Sequence, residues 1–437
     1  MEIPKDVAGV LERLRNAGYE AYAVGGCVRD SLLGRIPKDW DVTTSALPEE
    51  IKAVFDRTID TGIKHGTVTV MVNGTGIEVT TYRIDGEYLD GRHPEEVVFT
   101  SNLKEDLRRR DFTINAFVYN ENEGIKDFFS GIDDLNNKII RCVGEPEERF
   151  GEDALRILRA VRFSAVLGFT IEEATYKAAV KLAGNLKKVS AERIKTEIDK
   201  ILLSDNPDHI LLLKEMSIAP VIMPELENVQ NTDNLKKSLK LSEKNLSTRW
   251  AILLRYVEDG ISKEMDNALR FDNEHVMDDG EKDGSYQVSE SIMSRLRFDN
   301  KTADKVLLFF RIQDSLKILE EKDDAENRIC CRRLLNLSGE VNVYDYFDYL
   351  NAVTLGAYEK RIALLREETA GIILRKECYS LKSLAVNGRD LLGEKLAEDK
   401  EVGEMLDRLL EAVIMSPEKN DREYLLDIAR SYKDGKI

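Results

Sequence analysis

Cysteine is scarce in this chain. Its five residues (Cys27, Cys142, Cys330, Cys331, Cys378) are odd in number and contain no Cys-x-x-Cys pair. That argues against a disulfide framework, and the thiols read as reduced ones in a cytoplasm. Long hydrophobic runs are missing too. No stretch is apolar enough to span a bilayer, and the N-terminus carries no signal-peptide pattern. Positive charge is in deficit, with 64 Lys and Arg against 81 Asp and Glu, a formal net charge of −17. That excludes a protein coated in positive potential. If RNA is the partner, the basic surface is local and the outer faces are acidic.

At 437 residues the chain is too long for one core and suggests two to four domains, with ordinary apolar content. Val7, Val10, Leu11 and Leu14 fall on one stripe of an amphipathic N-terminal helix. The short apolar run Ala21 to Val24 then leads into Gly25-Gly26-Cys27-Val28-Arg29-Asp30. Glycines there allow a tight turn and close backbone approach. The helical pattern that follows points its first N–H groups at an arriving anion.

Asp39 and Asp41 flank Trp40 in a run through Thr44 that reads as a short strand. Residues i and i+2 of a strand share a face, so two carboxylates would stand side by side and repel unless a cation sits between them. Mg²⁺ suits such a site, taking one or two carboxylates plus substrate phosphates. Alone, Asp-x-Asp is also the pattern of a solvated turn or strand end, and Gly-Gly alone says less. Joined by Arg29-Asp30 and Lys38, the two become specific.

Gly25-Gly26-Cys27-Val28-Arg29-Asp30-Ser31-Leu32-Leu33-Gly34-Arg35 through Asp39-Trp40-Asp41 resembles the signature of the class II, bacterial-type tRNA nucleotidyltransferases. These are the CCA-adding enzymes, relatives of bacterial poly(A) polymerases in the polymerase β superfamily. The resemblance implies an α+β protein. A nucleotidyltransferase head with a mixed sheet (1–138) would precede an all-α neck (139–205), body (206–310) and tRNA-binding tail (311–437). It implies Asp39 and Asp41 as ligands of two Mg²⁺ ions about 3.5–4 Å apart, with Gly25, Gly26 and Arg29 at the nucleotide. CTP, ATP and the tRNA 3′ end would be the partners, in the cytoplasm and away from any membrane.

Further along, Pro48 opens a helix, and His65 to Val72 alternates as a strand. Asn73-Gly74 is a hairpin turn, returning along Ile77 to Arg83. Glu78 lies between apolar neighbours. It either faces the groove of the Asp pair as a third carboxylate or merely faces solvent. Arg83 to Pro94 reads as a mobile loop, similar to the flexible loop of CCA-adding enzymes. Arg108-Arg109-Arg110-Asp111-Phe112-Thr113-Ile114-Asn115-Ala116 resembles the family's second motif. The resemblance puts Arg110 on the incoming nucleotide. Asp111 is a candidate acceptor for a ribose hydroxyl.

Phe150 to Phe163 reads as one helix, apolar along Leu155, Leu158, Val161 and Phe163. Glu152, Asp153, Arg156 and Arg159 stand on another side, three or four residues apart. That spacing also fits plain intrahelical ion pairs. The resemblance, through Glu-Asp-x-x-Arg, implies base reading instead. Cytosine and adenine each show a ring-nitrogen acceptor beside an amino donor; guanine and uracil show the reverse order. An arginine donor (Arg156) beside a carboxylate acceptor (Asp153) suits C and A, and leaves G or U with unpaired groups costing ~1–3 kcal/mol each. Arg159 and Arg162 would reach phosphates or support the pair. Ala191 to Ile198 resembles the last neck motif and reads as a brace for this helix.

The rest is helical. Leu246 to Tyr256 is an apolar helix, and Phe271 to Gly284 an acidic solvated loop. Many family members carry a His-Asp phosphohydrolase segment. None of the four histidines (His65, His93, His209, His275) precedes an aspartate, so that metal site is not expected. Ser383 to Gly393 is similar to the family's C-terminal segment. Arg328, Arg332, Arg333, Arg361, Arg366, Arg375 and Lys376 are candidates for the tRNA backbone or simply surface charge. The expected reaction is template-independent CCA addition. The alternatives are a poly(A) polymerase, an A-adding or CC-adding partial enzyme, or a non-catalytic RNA-binding relative.

Overall fold

The computed structural model describes residues 1–86, 97–272, 286–315, 318–398 and 400–434. The chain divides into two compact units, residues 1–227 and 228–437.

The first unit begins with α1 (Lys5–Asn16), β1 (Ala21–Val24), α2 (Gly26–Leu32), β2 (Asp41–Thr44) and α3 (Pro48–Val54). Next come β3 (Thr58–Gly62), β4 (Thr67–Val72), β5 (Thr75–Thr81), β6 (Arg83–Asp85), β7 (Val97–Phe99) and α4 (Leu103–Arg108). Then follow β8 (Phe117–Asn120), β9 (Gly124–Asp127), α5 (Gly131–Asn136), β10 (Ile139–Ile140), α6 (Pro146–Glu152), α7 (Leu155–Leu167) and β11 (Thr170–Ile171). Helices α8 (Glu173–Leu182), α9 (Ala191–Leu202), α10 (Leu212–Glu215) and α11 (Ala219–Ile222) complete it.

Seven strands form a mixed sheet in the order β3-β4-β5-β2-β1-β8-β9. Strand β2 pairs antiparallel with β1 and parallel with β5, so it lies inside the sheet rather than at an edge. Its backbone is thereby fixed on both sides, a rigid base for side chains at its tip. The α1 stripe Val7, Val10, Leu11 and Leu14 packs on one sheet face with Val42, Ile51, Phe55, Val68, Val70, Ile77 and Val79. Asn73 and Gly74 both take positive φ, 50° and 85°, as the two-residue hairpin between β4 and β5 requires.

Three expectations change. Strand β2 starts at Asp41, so Asp39 precedes it rather than sharing a regular strand. Arg83 to Asp85 is no loop: it pairs antiparallel with Val97–Phe99. The remainder of that segment, 87–94, lies outside the described residues. A two-residue parallel pair, β10 with β11, ties the entry of the helical region to residues 170–171.

In the second unit, α12 (Thr232–Leu241), α13 (Leu246–Asp272), α14 (Gln287–Arg295), α15 (Asn300–Ser315) and α16 (Asp324–Val353) are followed by α17 (Glu359–Leu374), α18 (Gly388–Gly393), α19 (Val402–Met415) and α20 (Arg422–Lys433). Phe309, Phe310, Tyr346 and Tyr349 make a buried aromatic cluster. Phe271, expected to open an acidic loop, belongs to α13; 273–284 lies outside the described residues. Among the described residues no helix is long and apolar enough to cross a membrane. Several tail arginines are already engaged: Arg332 is buried against the Ile414 carbonyl and Glu377, and Arg333 is held by Glu411.

Candidate active site

Asp41 and Glu78 are register neighbours across the parallel β2–β5 pair. Both project from the sheet beside buried apolar neighbours, Val42 on one strand and Ile77 and Val79 on the other. Asp39, Asp41 and Glu78 line one pocket of about 550 Å³ together with Asp6, Lys38 and Trp40. Asp41 is open to solvent as a residue, yet its crowded surroundings desolvate the carboxyl and push its pKa up. Glu78 and Asp39 push the same way, and Arg110 opposes them. Glu78 is exposed and lines the same pocket as Asp39 and Asp41. Three carboxylates lining one pocket form a donor set suited to a hard divalent cation. Among the described residues they do not close into a compact three-ligand cluster.

On the other side of Asp41 stands the glycine turn. Gly25 caps α2 with φ 80°, a conformation that side-chain-bearing residues rarely adopt. A Cβ there would lie 3.1 Å from Arg110 Nη1. Gly25 thus gives the Arg110 guanidinium its space. Arg110 is half-buried; desolvation, with Arg109 beside it, lowers its pKa against the pull of Asp106 and Asp41. Its Nε is buried with no hydrogen-bond partner. Gly26 opens α2, whose buried Arg29 donates from Nη1 to Asn115 Oδ1 at 2.6 Å and from Nε to Asp30 Oδ1 at 2.9 Å.

Asp106 organises this corner and was not foreseen. Fully buried, it accepts from Arg109 Nε at 3.0 Å and Nη2 at 2.8 Å, and from Thr43 Oγ1 of β2 at 3.1 Å. The signal was the run Asp106 to Arg110, where i, i+3 and i, i+4 spacing places an acid beneath two arginines.

The expected single helix from Phe150 is broken. Helix α6 ends at Glu152, Asp153 is extended (φ −136°, ψ 104°), and α7 begins at Leu155. The Asp153 carboxylate accepts the Leu155 N–H at 3.0 Å and binds Arg193 Nη2 at 3.1 Å. Arg156 is buried. It binds Glu152 at 2.5 Å and donates to the carbonyls of Arg149 (3.1 Å) and Arg109 (2.9 Å). Asp153 and Arg156 are therefore neighbours, each fixed by a different partner. The simple ion-pair reading applies to Glu152–Arg156.

Asp111 holds Arg159, which donates to Oδ2 from Nε at 2.8 Å and also from Nη2. Its Oδ1 accepts from Asn115 Nδ2 at 3.1 Å and the Phe112 N–H at 2.8 Å. Burial opposes the Asp111 charge, but Arg159 and Asn115 more than offset it and hold the pKa well below the usual carboxylate range. Both oxygens are thus engaged inside the protein. Arg162 pairs with buried Glu197 at 2.9 Å. Arg193 and Glu197, four residues apart on α9, were legible only as a brace.

Residues 21–141 match the poly A polymerase head domain family, and 168–230 the family described as a probable RNA and SrmB-binding site of polymerase A. The chain is 33% identical over 447 residues to the CCA-adding enzyme of Ligilactobacillus salivarius, covering 99% of this chain and 98% of that protein. To the CCA-adding enzyme of Leuconostoc mesenteroides it is 45% identical over 255 residues, spanning 57% of this chain and 62% of that protein. A crystal structure of the Bacillus stearothermophilus CCA-adding enzyme in complex with CTP is similar over 100% of both chains, with 30% identity and a TM-score of 0.78.

Proposed function

The chain belongs to the CCA-adding enzymes, and from that premise we propose that it adds C, C and A to the 3′ end of tRNA from CTP and ATP, releasing pyrophosphate without a nucleic-acid template. The relationship runs over nearly the whole length of both proteins. The observation that carries the chemical reading is the gathering of Asp39, Asp41 and Glu78 in one pocket, with Arg110 acting on Asp41.

Asp39 and Asp41 hold Mg²⁺, two ions in this reading, and Glu78 adds negative charge from the neighbouring strand. Bound there, Mg²⁺ supplies neutralisation of phosphate charge and a more acidic hydroxyl. The glycine turn at Gly25 and Gly26 lets the polyphosphate approach the backbone, while Arg29 and Arg110 bind its oxygens. Arg159 and Arg162 extend that cationic wall, with Asp111 and Glu197 fixing their directions. The tRNA 3′-hydroxyl attacks the α-phosphate in line and pyrophosphate leaves, so catalysis is mostly positioning and charge stabilisation.

Asp153 and Arg156 select the base, with Glu152 fixing the arginine fork. Arg193 pairs with the Asp153 carboxylate, and Glu152 with the carbonyls of Arg149 and Arg109 holds Arg156. Such preset partners suit an acceptor-beside-donor edge, and a G or U edge loses its pairing. The cell compartment in this reading is the cytoplasm.

Product length on tRNA lacking its terminal CCA decides the activity. CTP alone should give two additions, and CTP with ATP three. A long ladder with ATP alone would mean poly(A) synthesis. A stop after one class of nucleotide would mean a partial enzyme. Binding without turnover at any Mg²⁺ concentration would mean a non-catalytic relative.

A further inference from the structure

Three guanidinium groups converge on one aromatic ring in the first unit. The Cζ atoms of Arg162, Arg29 and Arg159 lie 4.0, 5.2 and 5.5 Å from the centre of the Phe163 ring. Phe163 is buried and meets Phe112 edge-on at 5.6 Å. Arg29 comes from α2, and the other three residues share α7.

Like charges so close repel. Burial, together with the charges of Arg159 and Arg29, brings the Arg162 pKa down to about 10, with Glu197 and Asp111 opposing. Each arginine has its own anchor: Asp30 and Asn115 for Arg29, Asp111 for Arg159, Glu197 for Arg162. Each anchor consumes the same N–H donors that a phosphate needs. An aromatic face attracts a cation through its quadrupole without taking a directed N–H bond. A ring can thus hold cations together and leave their donors to a ligand. No carboxylate can do both.

We propose that Phe163 is a positioning residue of the nucleotide site, its ring gathering Arg29, Arg159 and Arg162 into the arrangement that receives the polyphosphate of CTP or ATP. This rests on the reading of those three arginines as nucleotide ligands. Because the base lies elsewhere, at Asp153 and Arg156, Phe163 serves both nucleotides equally.

The test changes the electrons of the ring and keeps its shape. In the full-length chain, residue 163 is replaced by mono-, di- and trifluorophenylalanine, and CTP and ATP affinities are measured by equilibrium binding with metal chelated. The expected result is a stepwise rise in Kd for both nucleotides, reaching about tenfold at three fluorines (about 1.4 kcal/mol), with an unchanged melting temperature. Phe163→Leu should weaken binding in the same direction, and Phe163→Tyr, which keeps the ring, should restore it. A flat Kd across the fluorinated series overturns the proposal even if Phe163→Leu fails to fold. Arg159→Ala is the control. If it leaves both Kd values unchanged, the arginine reading itself falls. If it weakens them while the fluorinated series is flat, only the role of Phe163 falls.

Discussion

Arg193 on α9 binds Asp153 across the break between α6 and α7, Nη2 to Oδ2 at 3.1 Å. The Leu155 N–H holds one oxygen of that carboxylate and Arg193 the other, so the two together set where it points. Removing Arg193 leaves Asp153 held through the Leu155 N–H alone. Arg193→Ala should lower kcat/KM for CTP and ATP about tenfold (about 1.4 kcal/mol). It should also raise the fraction of UTP and GTP misincorporated. Arg193→Lys, keeping charge but not the fork, should fall between. Single-nucleotide extension with each of the four triphosphates measures this.

Asp41→Asn should abolish incorporation while leaving the fold intact. The carboxyl is costly where it stands, desolvated and beside Glu78 and Asp39. Neutralising it should therefore leave the melting temperature unchanged or slightly higher. Calorimetric titration with Mg²⁺ should show lost metal binding, and EDTA should reproduce the loss of activity in the unaltered protein. An active, metal-dependent Asp41→Asn variant would refute the metal assignment.

Gly25→Ala forces a Cβ into a backbone with φ 80° and to within 3.1 Å of Arg110 Nη1. The expected cost is about 1–3 kcal/mol of stability. Nucleotide KM should rise as Arg110 is displaced. Thermal melts and KM for CTP read the two effects separately.

Asp348 in the second unit gives a pH signature. Burial pushes its pKa up to about 6 from 3.8, with Glu243 and Asp345 adding to the rise and the Glu243 N–H and Arg366 opposing it. The folded state therefore holds this proton more tightly than the unfolded chain. Its stabilising contribution is present below about 4 and is lost as pH rises through about 6. Asp348→Asn should flatten that loss and stabilise the unit at pH 7, on the order of 1 kcal/mol after solvent screening. Denaturant unfolding between pH 4.5 and 7.5 tests both parts.

The sequence made much of the head legible because its signals are local. The α1 stripe and the Asn73-Gly74 turn follow from periodicity and backbone sterics alone. Asp39 and Asp41 were legible as a pair through their spacing. The break at Asp153 was not, because a helical spacing of apolar residues continues through it: Phe150 and Ala154, four apart, are buried on either side. At the break the Asp153 carboxylate is held both locally, by the Leu155 N–H, and by Arg193 forty positions on. The pairing of Arg83–Asp85 with Val97–Phe99 was hidden for a similar reason. Three-residue strands carry too little pattern to stand out from a charged loop. Asp106 was overlooked because its role depends on Thr43, an acceptor–donor partnership between segments far apart in the chain.

Arg156 donates to the carbonyl of Arg109, Arg109 clasps Asp106, and Asp106 takes the hydroxyl of Thr43 two residues from Asp41. A continuous polar chain thus runs from Arg156 to β2, the strand that bears Asp41. If Arg156 reads the base as proposed, a mismatch that tilts its guanidinium is relayed through Arg109 and Asp106 to Thr43, next but one to Asp41.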